Sequence, residues 1–244
     1  MRRGYDQLEA SLQAIIPSLG TMPKAILVVS AHWEEAVPHV STSAAPPMLY
    51  DYYGFPEHTY RIRYAAPGSP ELAARVQDLL LAGGMDCRED GERGFDHGTF
   101  SMMQPIRPEA DIPIVQLSVL TSFDAAEHIA MGRILAPLRE EGVLVLGSGL
   151  SYHNLRAFGA QGRAASHAFD RWLRESLVGF EGNQGARALE RWMDAPAAMQ
   201  AHPRPEHLLP LMVIAGSAEV DSCSVQFHQD DFFGGLAVTS FRFG

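Results

Sequence analysis

The sequence predicts an α/β fold: a three-layer single domain with a central mixed or mostly parallel sheet flanked by helices. Three observations predict it. Apolar runs at 25–29, 112–120 and 142–147 are short and nearly unbroken, as in strands buried on both faces. Segments with helical apolar spacing alternate with them. The 244 residues, 46% of them hydrophobic, are enough for one large core. No internal repeat, linker or low-complexity stretch divides the chain, so 1–244 is read as one domain.

The elements follow in order. Tyr5, Leu8, Leu12, Ile15 and Ile16 keep helical spacing, and Pro17, Gly20 and Pro23 end it. A strand is expected over 25–30 and a second over 37–41. Residues 45–68 are rich in proline, glycine and tyrosine, a long loop of the kind that usually carries function. Ser69-Pro70-Glu71 opens a helix to about Leu81, with serine as cap and proline in the first turn. A short strand over 85–88 leads into a loop at 94–98. The strand 112–120, a helix over 122–138 and the strand 142–147 follow. Helices are expected over 160–181, 186–193 and 205–215, and a last strand over 236–243.

Net charge is -10, with no basic patch, which argues against nucleic acid and against an anionic membrane surface. No apolar run reaches the roughly 18–20 residues that span a bilayer. Met1 to Asp6 lacks the apolar stretch of a signal peptide. Two cysteines, Cys87 and Cys223, fit a reducing cytoplasm and offer no disulfide framework or cysteine zinc site.

Ten histidines are the unusual feature, because histidine is both the commonest metal ligand and the commonest acid/base. Four sit where an element hands over to a loop. His32 follows the first buried strand in Ser30-Ala31-His32-Trp33-Glu34. His97 lies in Asp96-His97-Gly98. His153 follows the third buried strand across Gly147-Ser148-Gly149, and His202 precedes Pro203 at a helix start. Strand ends of open α/β sheets are where ligands bind. A single histidine so placed is more often structural, but four recurrences suggest a metal site. His128 and His167 lie within helices as ordinary face residues, and His39, His58 and His228 have no supporting motif. Gly147-Ser148-Gly149 lacks the spacing of a phosphate loop, and no G-x-S-x-G nucleophile elbow occurs.

Across these and neighbouring segments the chain resembles the class III extradiol ring-cleavage dioxygenases, in the branch similar to 4,5-DOPA dioxygenase. The resemblance runs through Pro23 to Glu34, Tyr50-Asp51-Tyr52-Tyr53-Gly54-Phe55-Pro56, Tyr64 to Gly68, Asp96-His97-Gly98, Pro113 to Ser118, Gly147 to Asn154 and His202 to Pro210. It implies a single non-haem metal, Fe(II) in the active form and Zn(II) in isolated material. It implies His32 and His202 as metal ligands, with His153 near the metal as an additional ligand or as the acid/base. His97 would act in catalysis and line the substrate pocket, and Tyr53 in the long loop would contact substrate. His207 is read as part of the helix that follows, and Glu206 is not promoted to a ligand. A catechol and O2 are the implied reactants, in a cytoplasmic enzyme open to forming a homo-oligomer. Relatives in this family carry an earlier strand ending in His-Gly-Gly or His-Gly-Ser, with another metal-ligating histidine. No histidine precedes His32. The domain is therefore read as lacking that strand and ligand, with weak metal binding and little turnover expected. Two other functions stand beside this one: a metal-free interaction protein on the same fold, and a zinc-dependent hydrolase.

Overall fold

Five strands form the main sheet in the order β3-β2-β4-β1-β5. They are β1 (Ala25–Glu35), β2 (His39–Ser41), β3 (Arg88–Asp90), β4 (Ile114–Leu120) and β5 (Val143–Ser148). β1 runs parallel to β4 and β5, β2 runs parallel to β3, and the β2–β4 pair is antiparallel. The class is the predicted one: α/β, with a mostly parallel sheet flanked by helices. The computed structural model describes residues 5–179 and 183–244.

The described residues form two compact units, each built from separated segments. One draws on 12–122 and 134–148 and contains the five-stranded sheet. The other draws on the described residues up to Ser11, on 123–133 and on those after 148. In chain order the helices are α1 (Asp6–Gln13), α2 (Ile15–Ser18), α3 (Pro70–Ala82), α4 (His97–Ile106), α5 (Ala125–Leu135), α6 (Pro137–Glu140), α7 (Arg163–Leu177), α8 (Gln184–Glu190), α9 (Ala198–Ala201) and α10 (Leu209–Ser217). β6 (Cys223–Phe232) and β7 (Leu236–Phe243) form an antiparallel hairpin in the second unit.

In the sheet unit, Ile26 and Val28 of β1 pack with Ile114 of β4 and with Phe100, Met103 and Ile106 of α4. Successive strand residues point to opposite faces. Leu27 and Val29 are as buried as their neighbours, so both faces of β1 are covered. β4 is buried along its whole length, whereas Val143 to Leu146 of the edge strand β5 are half-buried.

Several elements differ from the sequence reading. α4 starts inside the expected 94–98 loop, because Asp96 caps it by accepting from Thr99 N–H at 2.9 Å. Gly98 and Pro105 hide that helix in the sequence. β3 begins where the 85–88 strand was expected to end. The helix over 122–138 is two, parted before Pro137, and the first helix divides in the same way into α1 and α2. The helix expected over 205–215 starts at Leu209. α7 occupies the middle of the 160–181 reading, whose last positions lie outside the described residues. β6 was not expected at all. Among the described residues, no helix is long and apolar enough to cross a membrane.

Candidate active site

β1 pairs with β5 as far as Ser30–Ser148, and with β4 as far as Ser30–Ser118. The β4 register then slips and resumes at Glu34–Val119, so Ala31, His32 and Trp33 lie in a bulge. A bulge bends a strand and re-aims its side chains. His32 is thus inside β1, at the irregularity, rather than after its end.

Both backbone groups of His32 are tied to Asp96. The His32 N–H donates to Ser30 Oγ at 3.2 Å, and that hydroxyl donates to Asp96 Oδ2 at 2.8 Å. The His32 carbonyl accepts from Arg93 Nη2 at 3.0 Å, and the same nitrogen reaches Asp96 Oδ2 at 3.2 Å. Arg93 also lies 4.5 Å over the Trp33 ring. Asp96 is completely buried, so its charge depends on these partners. Because Asp96 also caps α4, one carboxylate fixes His32 and the start of the helix that begins with His97.

The His32 and His97 rings lie side by side at a 52° tilt, with centroids 4.0 Å apart. Asp51, from the long loop, lies between them. Its Oδ1 accepts from His97 N–H at 3.0 Å and lies 2.7 Å from His97 Nδ1, while its Oδ2 is 3.5 Å from His32 Nδ1. Burial works against the Asp51 charge, but the bonds from His97 and the nearby His32 outweigh it and hold the carboxyl below its usual range. Gly98 leaves room for this packing: a Cβ there would come 2.7 Å from His32 Cδ2.

The second unit carries a similar group. His153 Nδ1 lies 3.0 Å from Glu206 Oε1, and the His207 ring stacks on His153 at 3.5 Å. His207 Nδ1 accepts from Leu150 N–H at 3.2 Å. Burial tends to raise the Glu206 pKa, but the hydrogen bond from His153 and the charge of Arg204 bring it below the ordinary value. Gly149 meets the His207 carbonyl so closely that a side chain there would collide with backbone.

His202 stands apart from both groups. It is fully buried against Phe169 and Trp192, and its Nε2 bonds the Ser151 carbonyl at 3.0 Å. Burial pushes its pKa down to about 4. His153 N–H bonds Ala201 O at 3.0 Å, so the chain around His202 holds the segment that carries His153. Tyr53 is 91% exposed, and it is its neighbour Tyr52 that lies edge-on to His97, at 5.4 Å. The structure therefore brings His32 to His97, and His153 to His207. In the sequence Asp51 stands out only as part of the Tyr50 to Pro56 motif, and Glu206 carries no ligand signal of its own. The signal for Asp51 was an acid among tyrosines in a functional-looking loop.

Each group offers three nitrogen or oxygen atoms within 4.8 Å of one another: His32, Asp51 and His97 in one, His153, Glu206 and His207 in the other. Imidazole with carboxylate is a donor set that suits iron and zinc. By donor chemistry these residues fit a non-haem metal.

The model of the family described as the catalytic LigB subunit of aromatic ring-opening dioxygenase matches residues 4–234. The chain belongs to this family. Within these class III extradiol dioxygenases it is 42% identical over 232 residues to the 4,5-DOPA dioxygenase extradiol of Portulaca grandiflora, covering 91% of this chain and 82% of that one. It is 38% identical over 250 residues to dioxygenase tasH of Hapsidospora irregularis, covering 95% and 77%. The crystal structure of an uncharacterized Escherichia coli K12 protein superposes with a TM-score of 0.81 at 33% identity, covering 97% of this chain and 92% of that one. Membership of the extradiol dioxygenases makes this an aromatic ring-opening enzyme by family.

Proposed function

We propose that this dioxygenase cleaves a catechol-type aromatic beside its diol, with O2 as co-substrate and a non-haem metal, Fe(II) when active, with Zn(II) as the ion found on isolation. The relatives named for 4,5-DOPA make that catechol the first to test. The observation that carries the reading is that two histidine rings gather around one carboxylate in each unit. When bound, Fe(II) supplies Lewis acidity toward the adjacent catechol oxygens and redox access to O2.

The chain's own residues do the rest. With Nδ1–H donating to Glu206 Oε1, His153 keeps Nε2 as the nitrogen that takes a catechol proton. His97 is held in the same sense by Asp51. His32 serves as a metal ligand of the sheet unit, whereas His202, enclosed by Phe169 and Trp192, is not proposed as one. Tyr50 packs edge-to-face on Tyr52, Tyr60 and Phe100, and Tyr52 packs edge-to-face on Phe100 and His97, a cluster that can receive an aromatic ring.

The test is anaerobic loading with Fe(II), addition of DOPA or plain catechol, and admission of O2. A yellow ring-opened product that needs both iron and O2 is the expected result. Zinc-dependent ester hydrolysis without O2 would instead make the protein a hydrolase. Failure to take up any metal would favour an interaction protein.

A further inference from the structure

Asp51 makes contacts that a loop anchor alone does not need. Its Oδ1 is shared between the backbone N–H and the ring Nδ1 of His97, at 3.0 and 2.7 Å, while Oδ2 turns toward His32 Nδ1 at 3.5 Å. Its side chain keeps only 18% of its exposure. We propose that Asp51 is a positioning residue that fixes the Nδ1–H tautomer of His97, leaving Nε2 as the nitrogen that meets the substrate, and steers the His32 ring with its second oxygen. The proposal rests on the dioxygenase reading for its consequence, but not for its geometry.

A neutral imidazole has one N–H, and the partner at one nitrogen decides which nitrogen carries it. A carboxylate can only accept, so Nδ1 must donate to it. Nε2 is then the basic nitrogen, and the carboxylate strengthens it as a base. Geometry supports a built arrangement. Asp51 is carried by a loop pinned to the scaffold: Leu49 N–H bonds Phe95 O at 2.8 Å, and Phe95 N–H bonds Pro47 O at 2.8 Å. Tyr50 Oη donates to Ile62 O at 2.6 Å, and Tyr52 Oη donates to Thr59 O at 2.6 Å. Tyr52 then closes on His97 edge-to-face at 86°. Asp51 and Tyr52 therefore hold the ring from two directions, on supports that do not depend on His97 itself.

The test compares the metal-free wild-type chain with Asp51→Ala and Asp51→Glu, reading the imidazole nitrogen shifts of His97 by 15N NMR. Asp51→Ala removes the oxygen that accepts from both the backbone N–H and Nδ1 of His97, and Asp51→Glu keeps an acceptor. The expected results are an Nδ1–H pattern in the wild type and in Asp51→Glu, and loss of that pattern in a folded Asp51→Ala protein. In the iron-loaded proteins, kcat for catechol should fall roughly 10- to 100-fold in Asp51→Ala and recover in part in Asp51→Glu, with KM changing less than threefold, on the scale of ligand-orienting partners. An unaltered His97 tautomer in a folded Asp51→Ala protein overturns the proposal, and so does loss of activity without that change. The tautomers are read without substrate, so a wild type that turns over no catechol would refute the dioxygenase reading while leaving the assignment of Asp51 to stand on its shifts.

Discussion

Glu206 Oε1 lies 3.0 Å from Nδ1 of His153, and the Glu206 side chain keeps only 9% of its exposure. The hydrogen bond gives His153 a defined tautomer, and the carboxyl, held below its ordinary range, is ionised at neutral pH. Glu206→Gln preserves the shape but replaces a pure acceptor with a group that can donate. The expected result is a kcat for catechol reduced roughly 10- to 100-fold with little change in melting temperature, the range found for partners that orient a histidine. Steady-state kinetics on the iron-loaded protein check it. Wild-type kcat would refute the role.

Gly98 sets how close α4 comes to His32. A methyl group there would sit 2.7 Å from His32 Cδ2, 3.0 Å from Ser148 Oγ and 3.3 Å from Asp96 Oδ1. The imidazole is the most movable of the three, because Asp96 is held by Ser30, Arg93 and Thr99. Gly98→Ala should therefore turn the His32 ring and cost about 1–3 kcal/mol in stability. Turnover should fall about 100-fold, since misplacing a reacting group by about 1 Å costs that much. Chelator competition should show weaker Fe(II) binding. Equal iron affinity and turnover in the two proteins would mean that His32 does not ligate.

The parts legible in the sequence are those whose signal is local. β1, β4 and β5 read clearly because a strand covered on both faces needs no polar alternation. β6 does not, because Cys223 to Phe232 mixes polar and apolar residues; only Gly234-Gly235 after it marks a hairpin. His32, His97 and His153 stand out because each lies near the end of an element. Asp51 and Glu206 do not, because each gains meaning only from a histidine 46 and 53 residues away in sequence. The sequence reading favours His202 over His207, because His202 precedes Pro203 at an expected helix start. Packing reverses that order, by enclosing the His202 ring against Phe169 and Trp192 and stacking the His207 ring on His153.

Asp96 joins β1, β4 and the start of α4 through one carboxylate and its own N–H. It accepts from Ser30 Oγ, Thr99 N–H and Arg93 Nη2, and its own N–H donates to Gln116 Oε1 at 3.2 Å. Asp96→Ala removes the cap of α4 and leaves Arg93 as a nearly buried charge without its carboxylate. Breaking a buried pair from one side costs about 3–5 kcal/mol, and losing a cap about 1. Urea melts should show a loss of that order. Asp96→Asn, which keeps acceptor capacity, should lose less. A change below about 1 kcal/mol in Asp96→Ala would show that the network does not hold β1 to α4.

His202 gives the fold an acid limit. Burial pushes its pKa down to about 4, from 6.5. A histidine with a lowered folded pKa binds fewer protons folded than unfolded, so stability rises with pH between the two values. Its contribution is whole above pH 6.5 and is lost as pH falls toward 4. A difference of about 2.5 units corresponds to about 3 kcal/mol. His128, whose pKa burial also lowers, acts in the same direction. His202→Phe keeps a ring between Phe169 and Trp192 but cannot take a proton. It gives up the bond to Ser151 O, so it should be about 1–2 kcal/mol less stable at pH 7. From there to pH 4.5 its stability should fall more gently than that of the wild type. Urea melts of the metal-free proteins at several pH values measure both slopes, and parallel slopes would show that His202 is not the group that titrates.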